Sequence, residues 1–140
     1  MMICGRGRTL AKLAKAHDLP VPSEEDEQAM LFRWAAWEQG THPELLLMFH
    51  IPNEGKRSLQ RGAMMRRMGL KAGVPDICLP VPRGKWHGMF IEMKRQRGGR
   101  LTDEQDGWLK ALSRQGYYCV VCKGWESAVK EIKAYLSQQV

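Results

Sequence analysis

A glutamate and a lysine separated by one residue are side chains whose types and spacing could perform chemistry. Glu92 and Lys94 lie in a largely apolar run that predicts a β-strand over 88–94. Because side chains alternate between the two faces of a strand, both charges point to one side, and Ile91 and Met93 point to the other. The charged side is not expected to be an ordinary core face, since burying both charges would be costly.

A second carboxylate, Asp76, begins the preceding predicted strand, 76–80, directly after a Gly-Val-Pro sequence at 73–75. If the two strands pair through the turn that joins them, Asp76 lies near Glu92. Two carboxylates can hold Mg²⁺, which prefers a few carboxylates together with waters and phosphate oxygens. Lys94 can then position a water or stabilise charge on a phosphate, so the three side chains predict metal-dependent phosphodiester chemistry. A surface salt bridge between Glu92 and Lys94 is the alternative interpretation.

The elements that must position these residues are helices and strands distributed along the whole chain. We expect helices over 24–38, 102–113 and 125–137, strands over 45–51, 76–80, 88–94 and 117–122, and a basic helix or loop over 56–71. Ser23 begins a capping-box pattern and Thr102 is a second N-cap candidate. Strands in the middle with helices on both sides predict an α/β domain with a mixed central β-sheet flanked by helices.

Length and charge limit the class of protein. The 140 residues fit one compact domain, which we place at 23–140, after a basic N-terminal arm at 1–22. The net charge of +7 favours a polyanionic partner, DNA or RNA first, although a merely basic soluble protein fits it too. Because no run approaches about 20 apolar residues and no secretory signal is visible, we expect no membrane and a cytoplasmic location.

Two cysteines, Cys119 and Cys122, have the spacing of half a zinc site. The sequence offers no second Cys or His pair at a suitable spacing, and both residues lie in an apolar run. The preferred interpretation is a pair of thiols in a buried strand.

Three motifs in order carry a resemblance to a known family. They are Gly-Val-Pro-Asp at 73–76, Ile-Glu-Met-Lys at 91–94, and Gly-Arg-Leu-Thr-Asp-Glu-Gln at 99–105, followed by Trp108 and Leu109. From about residue 23 to residue 136, the chain resembles the VRR-NUC (virus-type replication-repair nuclease) domain of the PD-(D/E)xK nuclease superfamily. The resemblance implies a three-layer, restriction-endonuclease-like fold. It also implies a DNA endonuclease that uses Mg²⁺, which Mn²⁺ can replace.

The resemblance also implies roles for individual residues. Asp76, Glu92 and Lys94 would form the catalytic core, and Gln105 would face the same site from the next helix. An acid on the first helix would complete the site; Glu24 is the first candidate, and Glu27 lies on the same helical face. The implied metal ligands are Asp76, Glu92 and Glu24. A first-turn acid that only compensates the helix dipole is the alternative for Glu24.

Two basic segments are candidates for binding the phosphates of DNA. Arg95, Arg97 and Arg100 follow Lys94 in a glycine-containing loop. The second segment, 56–71, contributes Arg61, Arg66 and Arg67, and the resemblance adds Asn53, a polar residue after the first predicted strand. Solvated surface charge is the alternative interpretation for both segments.

The leading functional expectation is structure-specific cleavage of branched DNA, such as Holliday junctions or flaps. Cutting two strands with one metal site per chain requires two protomers, so a homodimer is expected from this need and from the family. A bacterial or phage-infected cell is suggested by the family alone. The alternatives are a non-catalytic basic module that binds nucleic acid, and a sequence-specific restriction-type endonuclease, for which the chain has no obvious specificity domain.

Overall fold

The structure is a computed structural model that describes residues 19–52 and 58–140. Most of the predicted N-terminal arm, and Asn53, therefore lie outside the described residues. The elements in chain order are α1 (Glu24–Glu38), a 3₁₀ helix (Pro43–Leu47), β1 (Phe49–His50), α2 (Leu59–Arg67), β2 (Ile77–Leu79), β3 (Met89–Lys94), α3 (Asp103–Arg114), β4 (Tyr118–Lys123) and α4 (Trp125–Leu136).

The four strands form one mixed sheet in the order β1-β2-β3-β4. The β1/β2 and β2/β3 pairs are antiparallel, with Ile77 opposite Ile91, and the β3/β4 pair is parallel, with Lys94 opposite Lys123. Strand β3 is therefore paired on both sides over residues 89–91, whereas its second half, which carries Glu92 and Lys94, pairs with β4 alone. The predicted charged pair thus lies where β3 extends past the part that pairs with β2.

Helices cover both faces of the sheet. On one face, Leu31 of α1 and Ile132 of α4 belong to the same buried cluster as Ile91 and Met93 of β3. On the other face, α3 packs beside β4 and supplies the buried Leu109. This arrangement confirms the predicted three-layer α/β domain with a mixed central sheet.

The helix starts follow the predicted capping chemistry. Ser23 Oγ accepts a hydrogen bond from the Asp26 N–H at 3.1 Å, and the Asp26 carboxylate accepts one in return from the Ser23 N–H. Thr102 forms the same reciprocal pair with Gln105. Among the described helices, none has the length and apolar character needed to cross a membrane.

The predicted strand over 45–51 is wrong for most of its length. Its first half belongs to the 3₁₀ helix, and only Phe49 and His50 pair with β2. Leu45 and Met48 are buried, whereas Leu46 and Leu47 are exposed. This spacing of three matches the three residues per turn of a 3₁₀ helix and departs from the alternation of a strand.

Cys119 and Cys122 lie on β4 (Tyr118–Lys123), whose bounds differ by one residue from those of the predicted strand, 117–122. Cys122 is buried, and burial raises the pKa of its thiol to about 12. Cys122 is therefore a small apolar side chain, as the preferred interpretation expected. Cys119 is only half-buried, and β4 as a whole is not the buried strand that was predicted.

Candidate functional site

Asp76 is held at the start of β2 by contacts to both neighbouring strands. Its Oδ2 accepts a hydrogen bond of 2.7 Å from the backbone N–H of Met93 in β3. Its backbone carbonyl accepts one from the Ile51 N–H at 2.7 Å and lies 2.8 Å from His50 Nδ1. The antiparallel β2/β3 pairing thus brings the Asp76 carboxylate beside the part of β3 that carries Glu92.

Gly73 lets the segment before Asp76 approach α3 closely. Its φ is +83°, and a Cβ at this position would lie 2.7 Å from the backbone carbon of Glu104 and 2.9 Å from the Gln105 nitrogen. Only glycine adopts this conformation without strain and leaves that space open. The Gly-Val-Pro-Asp motif therefore packs the chain leading to Asp76 against the first turn of the helix that carries Gln105.

Glu92 lies at the centre of the site and is only 1% exposed. Its Oε1 accepts a hydrogen bond of 2.6 Å from Gln105 Nε2 and forms an ion pair of 3.1 Å with Lys94 Nζ. Its Oε2 is buried and has no hydrogen-bond partner among the described residues. Because buried polar atoms are nearly always satisfied, this oxygen is available to a ligand that the protein itself does not supply.

The amide of Gln105 is fixed by contacts at both of its ends. Its Oε1 accepts a hydrogen bond of 2.9 Å from the Thr102 N–H, which is the return bond of the α3 capping box. Its Nε2 must therefore point away from the cap and toward Glu92. The structure thus places Gln105 at the same site as Glu92 and gives it a partner, the glutamate carboxylate, that the sequence did not specify.

The surroundings of the two central carboxyl groups disfavour their charged forms. Burial first, and then the nearby charge of Asp76, raise the pKa of Glu92 to about 7, although Lys94 opposes the shift. Burial also raises the pKa of Asp76, although the Met93 N–H and Lys94 oppose this shift. A buried carboxylate close to a second, half-buried one is stabilised by a cation that both can reach.

The donor set fits Mg²⁺ held by two carboxylates. Within residues 19–52 and 58–140, no three His, Cys, Asp or Glu side chains are close enough together to hold a metal ion by themselves. Mg²⁺ commonly binds to one or two carboxylates and completes its shell with waters and phosphate oxygens. Glu92, with its unpartnered Oε2, and Asp76, whose charge acts on Glu92, provide two such carboxylates.

The burial of Glu92 and Lys94 differs from the expectation for a charged face. Lys94 is 5% exposed, so the pair is no surface salt bridge, and the face that carries it is covered. A Cβ on Gly99 would lie 3.1 Å from Lys94 Cβ, which shows how closely the loop after β3 folds over the lysine. Burying the two charges is tolerable because they pair with each other and because Gln105 bonds the carboxylate.

The two candidate acids of α1 have different surroundings. Glu24 Oε1 lies 3.9 Å from Lys94 Nζ, and its side chain is 45% exposed. Glu27 is 1% exposed and accepts hydrogen bonds of 2.7 Å from Gln96 Nε2 and from the Trp125 N–H. The structure brings Glu24 to the edge of the site, whereas the Glu27 carboxylate lies at the N-terminus of α4.

The arginines predicted to bind DNA are all exposed in the described part of the chain. Arg95, Arg97 and Arg100 lie in the loop that directly follows Lys94, and Arg61, Arg66 and Arg67 lie on α2. Arg95 Nη2 donates to the Val21 carbonyl at 3.5 Å, which links the loop to the segment before α1. The first group therefore flanks the site, and the second lies on a separate helix.

Two residues beside the site were missed by reasoning from the sequence. His50 contacts the Asp76 carbonyl through Nδ1, and only its position at the end of an apolar run could have indicated this. Gln96 tethers the loop after β3 to Glu27, a residue 69 positions earlier. No local pattern marks such a long-range pair.

The sheet, the flanking helices and the arrangement of Asp76 beside the buried Glu92 and Lys94 are together consistent with an α/β nuclease domain. The model of the VRR-NUC domain matches residues 23–126. A solved structure described as a VRR_NUC domain protein aligns with a TM-score of 0.74 and 27% identity, over 86% of this chain and 93% of that one. No curated protein shows significant sequence similarity to the chain. The chain belongs to the VRR-NUC family, which is a nuclease-type family.

Proposed function

We propose that this protein is an Mg²⁺-dependent endodeoxyribonuclease that hydrolyses phosphodiester bonds, with a preference for branched DNA. The observation that carries the proposal is the buried carboxylate of Glu92, which keeps one oxygen without a partner and lies beside Asp76. Glu44, which pairs with Arg83, also keeps a buried oxygen without a partner in the part of the chain that the structure describes, but Glu92 has in addition a second carboxylate, that of Asp76, close enough for its charge to raise the pKa of Glu92. A cation that both carboxylates reach would explain why the Glu92 oxygen is buried and unbonded.

In this proposal Asp76 and Glu92 hold Mg²⁺, which Mn²⁺ can replace. Glu24 lies at the exposed edge and is close enough to Lys94 to act through a water or a second ion pair. When bound, the ion polarises the scissile phosphate and lowers the pKa of a water bound to it.

Lys94 and Gln105 supply the remaining functions of the site. The Lys94 ammonium is held against Glu92, so its charge is fixed where negative charge develops on the phosphate. Gln105 holds Glu92 Oε1 and thereby directs Oε2 toward the proposed ion. The low exposure of both Glu92 and Lys94 strengthens these interactions, because the surrounding medium screens them less than water would.

DNA is the polyanion that the basic surface would bind. The exposed arginines of the loop after β3 flank the carboxylates, so this loop would hold the phosphates next to the bond that is cut. Contacts of this kind carry affinity and little sequence information, and binding should weaken steeply as salt is raised. Such a surface favours recognition of DNA shape.

A homodimer would supply the two sites needed to cut two of the four strands of a Holliday junction, whereas a flap needs one cut. Each chain has one proposed metal site, so the oligomeric state bears directly on which branched substrate is used. The cytoplasm of a bacterial or phage-infected cell is the expected place of action. Sedimentation of the protein with and without a four-way junction would measure how many chains bind each junction.

Cleavage assays on a matched set of DNAs test the proposal. A four-way junction, a flap and a linear duplex of the same sequence should be incubated with Mg²⁺, with Mn²⁺ and with EDTA. We expect cleavage of a branched substrate with either metal and none with EDTA.

The other outcomes distinguish the alternative functions. Salt-sensitive binding without cleavage in either metal would indicate a non-catalytic binding module. Cleavage of the linear duplex at one fixed sequence would indicate a restriction-type enzyme. Either result would overturn the proposed activity.

A further inference from the structure

Helix α2 combines exposed methionines with a high density of positive charge. None of its nine residues, all of which are described, is buried. Met68, which follows the helix, is 80% exposed. From residue 55 to residue 75 the sequence contains no acid, and its described part carries Arg61, Arg67 and Lys71 in addition to Arg66. Exposed apolar side chains framed by cations point to a ligand with both apolar and anionic parts.

A groove lies between α2 and α3, and we call it the α2 groove. Its volume is about 510 Å³, which is within the range of small-molecule sites. Apolar side chains form most of its lining, and Lys71 lies among them. The apolar lining residues include Ile51, Met65, Met68, Leu70, Val74 and Trp108.

The α2 groove adjoins the candidate metal site. Ile51 donates its N–H to the carbonyl of Asp76, and Val74 precedes Asp76 by two residues. Trp108 lies one helical turn after Gln105 on α3, and its Nε1 donates to the Ala72 carbonyl at 3.0 Å. A ligand in the groove would therefore lie next to the atoms that hold the carboxylates.

We propose that the α2 groove receives an unpaired nucleobase of the DNA whose backbone lies at the Asp76–Glu92 site. Bases in a continuous duplex are stacked, so their faces cannot reach an apolar groove beside the backbone. An unstacked base can enter such a groove and pack against Trp108, Met65 and Met68, while nearby arginines bind its phosphates. The cations make DNA a better occupant than a second copy of this chain, which is itself strongly basic.

This inference rests on the proposed function, since it takes DNA as the substrate, and it specifies which DNA is preferred. Branched DNA offers unpaired nucleotides where its strands separate, and a continuous duplex does not. The preference for branches would then come from base contacts in the groove in addition to the shape of the backbone.

Binding without divalent metal tests the groove separately from cleavage. Three DNAs should be compared by fluorescence anisotropy in EDTA: a flap, the same flap with abasic sites at the unpaired nucleotides next to the branch, and a continuous duplex. We expect the abasic flap to bind on the order of tenfold more weakly than the normal flap, because its bases are missing and its phosphates are unchanged.

Glutamine variants of the methionines locate the effect. Met65→Gln together with Met68→Gln keeps the length of both side chains and removes their apolar character. We expect this double variant to bind normal and abasic flaps equally. Met64→Gln, on the same helix and outside the groove lining, should keep the wild-type difference.

The results separate failure of the inference from failure of the proposed function. Equal binding of normal and abasic flaps by the wild-type protein would overturn the inference, even if Mg²⁺-dependent cleavage is observed. A base-dependent difference abolished by the double variant would support the inference even if nothing is cut. No binding to any of the DNAs, or self-association that the double variant abolishes with no base dependence, would also overturn it.

Discussion

The β2–β3 region and helix α2 represent two opposite ways of placing charged residues. Asp76 and Glu92 are fixed by backbone and side-chain hydrogen bonds, and Glu92 is fully buried beside the paired Lys94. Helix α2 buries none of its nine residues. The first region holds a few charges at fixed distances, which the chemistry of a phosphate requires. The second exposes three charges of one sign, all arginines, which suits contact with a long polyanion.

This difference should separate rate from affinity. Substitutions in the β2–β3 region should change the cleavage rate and leave DNA binding nearly intact. Substitutions on α2 should change affinity and its salt dependence and leave the rate at saturating DNA nearly intact. The predictions that follow test this division, beginning with the largest expected effect.

Asp76→Asn should reduce single-turnover cleavage on the order of 100- to 1,000-fold, because the change removes a charge that the proposed ion requires. The dissociation constant for the same DNA should change by less than about threefold. Asp106→Asn, at an exposed position of α3 where the acid pairs with Lys110, is the matched control and should cleave normally. Wild-type cleavage by Asp76→Asn would mean that the site is assigned wrongly.

Without metal, the stability of the protein should fall as pH rises from about 5 to about 8. Burial raises the pKa of Glu92 from 4.5 to about 7, so the folded chain binds this proton more tightly than the unfolded chain. The contribution of Glu92 to the free energy of unfolding is therefore greatest below pH 4.5. It is lost as the pH rises through 7, and the total loss is on the order of 3 kcal/mol. Thermal unfolding at several pH values would measure the trend.

Two comparisons sharpen this pH prediction. Glu92→Gln should flatten the dependence, since the amide does not titrate. Mg²⁺ should raise the unfolding midpoint of the wild-type protein more at pH 8 than at pH 5, because it binds the ionised carboxylates of the folded state. A midpoint that stays level across this range without metal would contradict the account of the buried carboxylates.

The two glutamates of α1 should respond differently to the same substitution. Glu27→Ala leaves the Trp125 N–H and the Gln96 amide without a partner and should lower the free energy of unfolding by about 1–3 kcal/mol. Glu24→Ala should leave stability within about 0.5 kcal/mol and slow cleavage, because Glu24 is half-exposed beside Lys94. Denaturant unfolding and single-turnover assays on both variants measure the contrast. The reverse pattern would mean that Glu27 serves the site and that Glu24 stabilises the fold.

The smallest effect is expected on α2. Arg61→Ala combined with Arg67→Ala should weaken DNA binding roughly tenfold and lower the slope of log affinity against log salt by about two. The cleavage rate at saturating DNA should be unchanged. Lys130→Ala combined with Lys133→Ala, at exposed positions of α4, removes the same number of charges and is the control for net charge. A large fall in the rate at saturation would place α2 within the chemistry of the site.

Local sequence patterns were sufficient to predict most of the helices and strands. The capping pattern at Ser23 gave the start of α1, and the alternation around Glu92 gave both the strand and the shared face of Glu92 and Lys94. The 3₁₀ helix before β1 was not predicted because a run of leucines has no period of its own. Only burial of Leu45 and Met48 against the core selects that conformation.

Long-range contacts determine the parts of the site that the sequence left open. Glu24 and Glu27 lie on the same helical face, and the choice between them depends on Gln96 and Trp125, far along the chain. The burial of Lys94 depends on the return of the loop at Gly99, and the role of Gln105 depends on its bond to Glu92. These contacts follow from how the elements assemble, which residue spacing alone does not specify.

The number of Mn²⁺ ions bound per chain tests the central claim most directly. Electron paramagnetic resonance can count bound Mn²⁺ in the wild-type protein and in a variant that combines Asp76→Asn with Glu92→Gln, with circular dichroism to confirm that both are folded. We expect the wild-type protein to bind about one ion per chain and the variant to bind none at the same concentration. Equal binding by the two proteins would contradict a metal site built from Asp76 and Glu92.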